Sequence, residues 1–199
     1  MNFEQILKDI PDKRQDKDTT SLKFKKDLIE FFGEDWKDKT CLEIGTNRGY
    51  TTRILSSLFK KVITCEHKQN LIDFAKEVNK DRDNVEFINK DVYRTNWNFE
   101  DISVVFIDCD HEINSVLSDI NNSINLCKPG EELLIIFDDY GLDNPWEGVK
   151  EAISKYEDNS RFKIVKEIGH SKGWNYKPNK FLREVEGVIC KFTNFYSWG

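Results

Sequence analysis

Thr40-Cys41-Leu42-Glu43-Ile44-Gly45-Thr46-Asn47-Arg48-Gly49-Tyr50 opens with a short apolar run, Cys41, Leu42 and Ile44, suited to a buried strand. The run breaks at Gly45, crosses three polar residues and meets a second glycine at Gly49. Beyond it Tyr50, Ile54, Leu55 and Leu58 recur at helical spacing. Strand, glycine turn and helix in this order bring backbone close to a nucleotide. The glycines allow the tight turn, and the helix N-terminus presents free N–H groups. A second strand candidate, Val62 to Cys65, ends in Glu66, 21 residues after Gly45. An acid at about that distance is placed to hydrogen-bond a ribose diol. The alternative is an αβ turn whose glycines serve packing alone.

Outward from this stretch, strand and helix patterns alternate. Residues 1–10 carry Phe3, Ile6, Leu7 and Ile10 on one helical stripe, Pro11 to Thr20 reads as a polar loop, and Leu22 to Phe32 as a helix stopped by Gly33. Helices are predicted over 48–59, 69–79, 112–126 and, opened by Pro145, about 146–157. Strands are predicted over 40–44, 62–66, 84–88, 103–107, 133–137, 162–168 and 187–192. Alternation of this kind implies a parallel sheet with right-handed crossovers. No helical pattern separates the last two strands, so they can be antiparallel neighbours; the intervening 169–183, with Trp174 and Tyr176, reads as a loop able to cover a substrate or to pack on the sheet.

At 199 residues the chain suits one domain over 1–199, with 1–20 as an N-terminal extension. Charged residues make up 33% and no 18-residue apolar run occurs, so no membrane span is expected. The N-terminus is too acidic for a signal peptide, and five cysteines without a C-x-x-C pair read as buried reduced thiols; both imply a cytoplasmic protein. A net charge of −6 argues against non-specific nucleic-acid binding, leaving Lys172, Lys177, Lys180 and Arg183 as the one basic cluster.

Glu43-Ile-Gly45-Thr-Asn-Arg-Gly49-Tyr50-Thr-Thr resembles motif I of the class I S-adenosylmethionine (SAM)-dependent methyltransferases. It departs from the nicotinamide pattern, which would want further glycines near Asn47 and Arg53. The resemblance spans roughly Leu22 to Lys191 and implies a Rossmann-like, seven-stranded, mostly parallel sheet with an antiparallel last strand and helices on both faces. It implies Glu66 on the SAM ribose, Asp91 near the adenine, and Gly45 and Gly49 beside the methionine portion. Glu43, Thr46, Asn47, Tyr50, His67, Val92 and Asp108 complete the implied cofactor set, although His67, like His170, reads from the sequence alone as a surface residue.

Acids close five strand ends in turn: Glu43, Glu66, Asp91, Asp108 and the pair Asp138-Asp139. In open α/β sheets that rim is where ligands bind. Carboxylates brought together repel, so Asp108, Asp138 and Asp139 suggest a cation between them; hard oxygen ligands favour Mg²⁺ or Ca²⁺, with Mn²⁺ an option. Helix capping and turn roles on a solvated rim are the alternative, and Asp110 fits that role. Asp108-x-x-His111 with Asp138-Asp139 resembles the divalent-metal-dependent O-methyltransferases. The catechol branch carries Asp-Asn after the fifth strand; the Asp-x-Asp-His run is closer to sugar-modifying and cephalosporin-type relatives. His111 is either a rim residue or a catalytic base acting with Asp108. The expected function is SAM-dependent O-methylation of a small molecule or sugar with Mg²⁺ assistance. An RNA or protein acceptor, a non-catalytic SAM-binding partner subunit and a homodimer stay open.

Overall fold

The computed structural model describes residues 3–8, 10, 19–141, 148–170 and 185–195. In chain order these form α1 (Phe3–Leu7), α2 (Leu22–Phe32), β1 (Thr40–Ile44), α3 (Tyr50–Leu58), β2 (Lys61–Glu66), α4 (Gln69–Val78) and β3 (Val85–Asn89). Then follow β4 (Val104–Ile107), α5 (Ile113–Leu126), β5 (Glu132–Phe137), α6 (Val149–Ser154), β6 (Phe162–Ile168) and β7 (Gly187–Thr193). The helix expected over 146–157 is shorter, because the chain turns after Ser154; Pro145 lies outside the described residues. So do Trp174 and Tyr176 and the basic cluster Lys172, Lys177, Lys180 and Arg183.

All seven strands form one sheet in the order β3-β2-β1-β4-β5-β7-β6. The first five are parallel, and β7 is inserted antiparallel between β5 and β6. The chain order reverses beside β1, where the crossovers to β2 and to β4 leave on opposite sides and a cleft opens beyond the strand ends.

Period-two alternation divides the sheet between two apolar layers. Leu42, Ile44, Val105, Ile107, Leu133, Ile135 and Phe137 face α5 and α6, whose Val116, Ile120, Ala152 and Ile153 complete one layer. Cys41, Val62, Val104, Phe106, Leu134 and Ile136 face α2 and α3, meeting Phe24, Leu28, Ile54 and Leu55 in the other. Phe24 packs edge-on against Phe106 with ring centroids 6.0 Å apart. With both faces covered, the central strands need to be apolar where they are buried, as β4 is throughout and β5 is from Leu133 onward.

The register of β6 slips once, between Ile164 and Lys166. Phe162 therefore joins the α5–α6 layer while Ile168, six residues on, joins the α2–α3 layer. Further ties hold the sheet to α2: Glu186, just before β7, accepts the Ser21 N–H at 2.9 Å, and the Gly169 N–H donates to Asp27 at 2.8 Å. All five cysteines are free thiols. Among the described residues no helix is long and apolar enough to cross a membrane.

Candidate active site

Gly45 leaves β1 with φ +96°, a conformation open to glycine, and its N–H donates to the Cys65 carbonyl at 3.0 Å. A Cβ there would lie 1.9 Å from the Asp108 carbonyl oxygen, so the turn is pressed against the end of β4. Asn47 also takes a left-handed backbone, φ +46°, which a short amide side chain tolerates. Gly49, φ +73°, then caps α3.

Three acids from the rim lie around this loop in different states. Glu43 is fully buried under it, accepting hydrogen bonds from the Thr52 and Thr64 hydroxyls, each at 2.6 Å. Burial pushes its carboxyl up to about 8, against the pull of those two hydroxyls. Glu66 accepts the Asn47 N–H at 3.1 Å and the Lys68 N–H at 3.0 Å, with His67 Nδ1 3.2 Å away. A carboxylate offers about four lone-pair sites, so capacity remains for a ligand hydroxyl. Asp91 accepts the Tyr93 N–H at 3.1 Å and pairs with Arg94 at 3.2 Å.

A cavity of about 330 Å³ opens beside the loop. Of the residues implied for the cofactor, Gly45, Glu66, His67, Asp91 and Val92 line it. Glu43, Thr46, Asn47, Gly49, Tyr50 and Asp108 are not among its lining residues. Thr46 turns inward, its hydroxyl 2.5 Å from that of Thr64, and Tyr50 packs edge-on against Phe74 at 6.3 Å. Asn47 reaches the cavity only indirectly, through its backbone N–H on Glu66.

Cys65, Lys90, Tyr93, Cys109 and Asp110 also line the cavity and were not anticipated. Extending the strand-end rule two residues past Asp91 and one past Asp108 would have found Tyr93 and Cys109. The Tyr93 hydroxyl donates to Asp119 at 3.0 Å and accepts the Asp110 N–H at 3.1 Å. Asp119 is wholly buried on α5, and burial raises its carboxyl to about 7 despite the Tyr93 hydroxyl. An acid between Val116 and Ile120 on a buried stripe was its signal in the sequence. Burial also pushes the Cys109 thiol up to about 11 and the Cys65 thiol up to about 12, so neither is a thiolate near neutral pH.

Just beyond the ends of β4 and β5 a second group of side chains meets. Asp108, His111 and Asp139 bring one ligand atom each within 4.8 Å of one another. His111 Nε2 lies 3.4 Å from Asp139 Oδ2 and 3.8 Å from Asp108 Oδ1. Asp138, expected in this group, is not in it. Its N–H continues the sheet by donating to the Ile107 carbonyl at 3.1 Å, and its side chain is buried. Asp139, the next residue, takes a left-handed backbone, φ +57°, and it is its carboxylate that meets His111. The expected oxygen-only trio is thus replaced by two carboxylates and an imidazole. Gly148, opening α6, donates to the His111 carbonyl at 2.6 Å and holds the start of α5 in place.

Residues 42–140 match the model of a family described as a methyltransferase domain. No curated protein matches the chain. Cofactor-bound Rv0187 from MTB has a similar structure, with TM-score 0.66 and 18% identity over 98% of this chain and 87% of that one. SMU.1697c from Streptococcus mutans, in complex with SAH, aligns with TM-score 0.56 and 16% identity over 84% of this chain and 96% of that one. The 23S rRNA methyltransferase ErmE aligns with TM-score 0.55 and 18% identity over 87% of this chain and 68% of that one. The matched stretch spans both glycines, Glu66 and the Asp108–Asp139 rim, and the seven-stranded sheet that carries it has the Rossmann-like methyltransferase fold.

Proposed function

We propose that this protein transfers the methyl group of SAM to an oxygen of a small hydroxylated molecule, such as a sugar, and that Asp108, His111 and Asp139 are its deprotonation centre. The observation that carries this reading is the grouping of those three side chains next to the cofactor loop. The Asp108 carbonyl lies against Gly45, and Cys109 and Asp110 line the cavity.

In this reaction an acceptor oxygen attacks the methyl carbon as the carbon–sulfur bond breaks. Sulfur leaves as a neutral thioether, and the hydroxyl proton passes to a base. The protein's share is to hold the oxygen in line and to take that proton. His111 Nε2 is the nitrogen for it, and an imidazolium formed there would sit between the carboxylates of Asp139 and Asp108. The same three residues fit a divalent cation, and one imidazole with two carboxylates suits Mn²⁺ or Fe²⁺ as well as Mg²⁺. When bound, such an ion supplies a Lewis acid that lowers the acceptor hydroxyl's pKa. Nε2 cannot ligate and accept a proton at once, so the metal and base roles of His111 exclude one another.

An RNA acceptor calls for a basic face, and the net charge of −6 favours a small molecule. The test follows SAH release over a panel of hydroxylated acceptors, before and after exhaustive chelation. Chelation is expected to suppress turnover, with Mg²⁺ or Mn²⁺ restoring it. His111→Ala is expected to lower turnover about 100-fold while leaving SAH affinity within about twofold. Full turnover after chelation removes the metal and leaves His111 as the base. Wild-type turnover in His111→Ala removes the centre altogether.

A further inference from the structure

Gly49 is held from outside its own loop. Asn79, the residue that caps α4, is almost fully buried, and its Nδ2 donates to the Gly49 carbonyl and to the Ala75 carbonyl, each at 2.9 Å. Two carbonyl acceptors fix which end of the amide is nitrogen. Its Oδ1 has no hydrogen-bond partner, an arrangement that costs stability and persists only where the surroundings dictate it. The Gly49 carbonyl is also the first acceptor of α3, taking the Arg53 N–H at 3.1 Å. With a donor on each side, the peptide plane between Gly49 and Tyr50 has little freedom to turn. A Cβ on Gly49 would lie 2.7 Å from Asn79 Nδ2 and 2.8 Å from the Ala75 Cβ, so α4 meets the loop at closest packing. A strap runs alongside: Arg53 donates to the Val78 carbonyl at 3.1 Å and clasps Asp81 at 2.5 and 2.9 Å.

The opposite end of α4 begins at the cofactor acid, since the Lys68 N–H that precedes the helix donates to Glu66. One helix therefore has Glu66 at its start and Gly49 clamped at its end. We infer that Asn79 is a positioning residue for the cofactor. It would set SAM affinity by fixing the Gly45–Gly49 turn relative to Glu66, without touching the ligand itself. This rests on the reading that SAM lies over that turn.

The molecule contains its own control. Asn84 makes the same kind of two-carbonyl clamp at the far end of α3, on Ser56 at 2.9 Å and Phe59 at 3.0 Å, and it does not line the cavity. The experiment measures SAH affinity by titration calorimetry and melting temperature without ligand, for wild type, Asn79→Ala, Asn79→Ser and Asn84→Ala. Asn79→Ala is expected to weaken SAH about tenfold, the loss of roughly one hydrogen bond's worth of alignment. Asn79→Ser, with a shorter hydroxyl donor, should fall between it and wild type. Asn84→Ala should lower the melting temperature comparably while leaving SAH affinity within twofold. If Asn79→Ala does not fold, Asn79→Ser alone decides. Wild-type affinity in a folded Asn79 variant overturns the inference, as does equal weakening in Asn84→Ala. Failure of the wild-type protein to bind SAH would instead overturn the cofactor reading beneath it.

Discussion

The two sides of the cleft are built by different means. On the proposed cofactor side Glu66 is met by two backbone N–H groups, Asp91 by one, and Glu43 by two hydroxyls. On the proposed acceptor side the carboxylates of Asp108 and Asp139 converge on the His111 imidazole, a meeting of side chains. A carboxylate held by main-chain donors keeps its place whatever the neighbouring side chains do. Carboxylates gathered around an imidazole depend on a proton or an ion between them. On the function proposed above, the first side holds one ligand in one pose and the second changes its charge.

The most severe way to break this contrast is at Gly45. Gly45→Ala forces a Cβ to within 1.9 Å of the Asp108 carbonyl at φ +96°. It should abolish measurable SAH binding and cost about 3 kcal/mol of stability, read by calorimetry and denaturant unfolding. Near-wild-type binding would mean that backbone does not shape the cofactor side. Next in size is Glu66→Ala. Removing a charged acceptor should weaken SAH by about 2 kcal/mol, roughly thirtyfold, and unchanged calorimetry would take Glu66 off the ribose.

The smallest effect sharpens the contrast. The carboxyl of Glu43 is raised from 4.5 to about 8 by burial. Between those values the folded chain keeps a proton that the unfolded chain has released, so stability falls as pH rises through the window and levels off above it. Asp119 adds the same trend between 3.8 and about 7. Glu43→Gln keeps an acceptor for the Thr52 and Thr64 hydroxyls and should flatten the slope left between pH 7 and 8. Thermal melts should show wild type losing about 5 °C from pH 5 to 8 and the variant less. An identical slope in both would mean that Glu43 is already ionised in the folded protein.

The elements that could be read in the sequence were those with a period or a fixed spacing. Every strand core and most helices fall where apolar alternation placed them, and Gly45 with Glu66 marked the cavity before any coordinates. Asp138 misled because adjacent residues share a sequence position but not a direction. The structure brings Asp139, not Asp138, to His111. Asn79, and the partner of Asp119, stayed hidden for a related reason. The contacts join residues 30 and 26 positions apart, and nothing local announces which residue will be met.

The slip in β6 can be seen as a matter of parity. Phe162 and Ile168 are an even number of residues apart, so an unbroken strand would send both into the same layer. Val165 is the odd residue that lets one strand serve two layers, and it does this while about two-fifths exposed, at 42%. Its side chain is nearly interchangeable, but its place in the count is not. Removing it would turn Ile168 away from the helix that holds Gly169, and so re-aim the chain where it leaves the sheet. Exposure, the usual sign of a dispensable residue, is here no guide to what a deletion would cost.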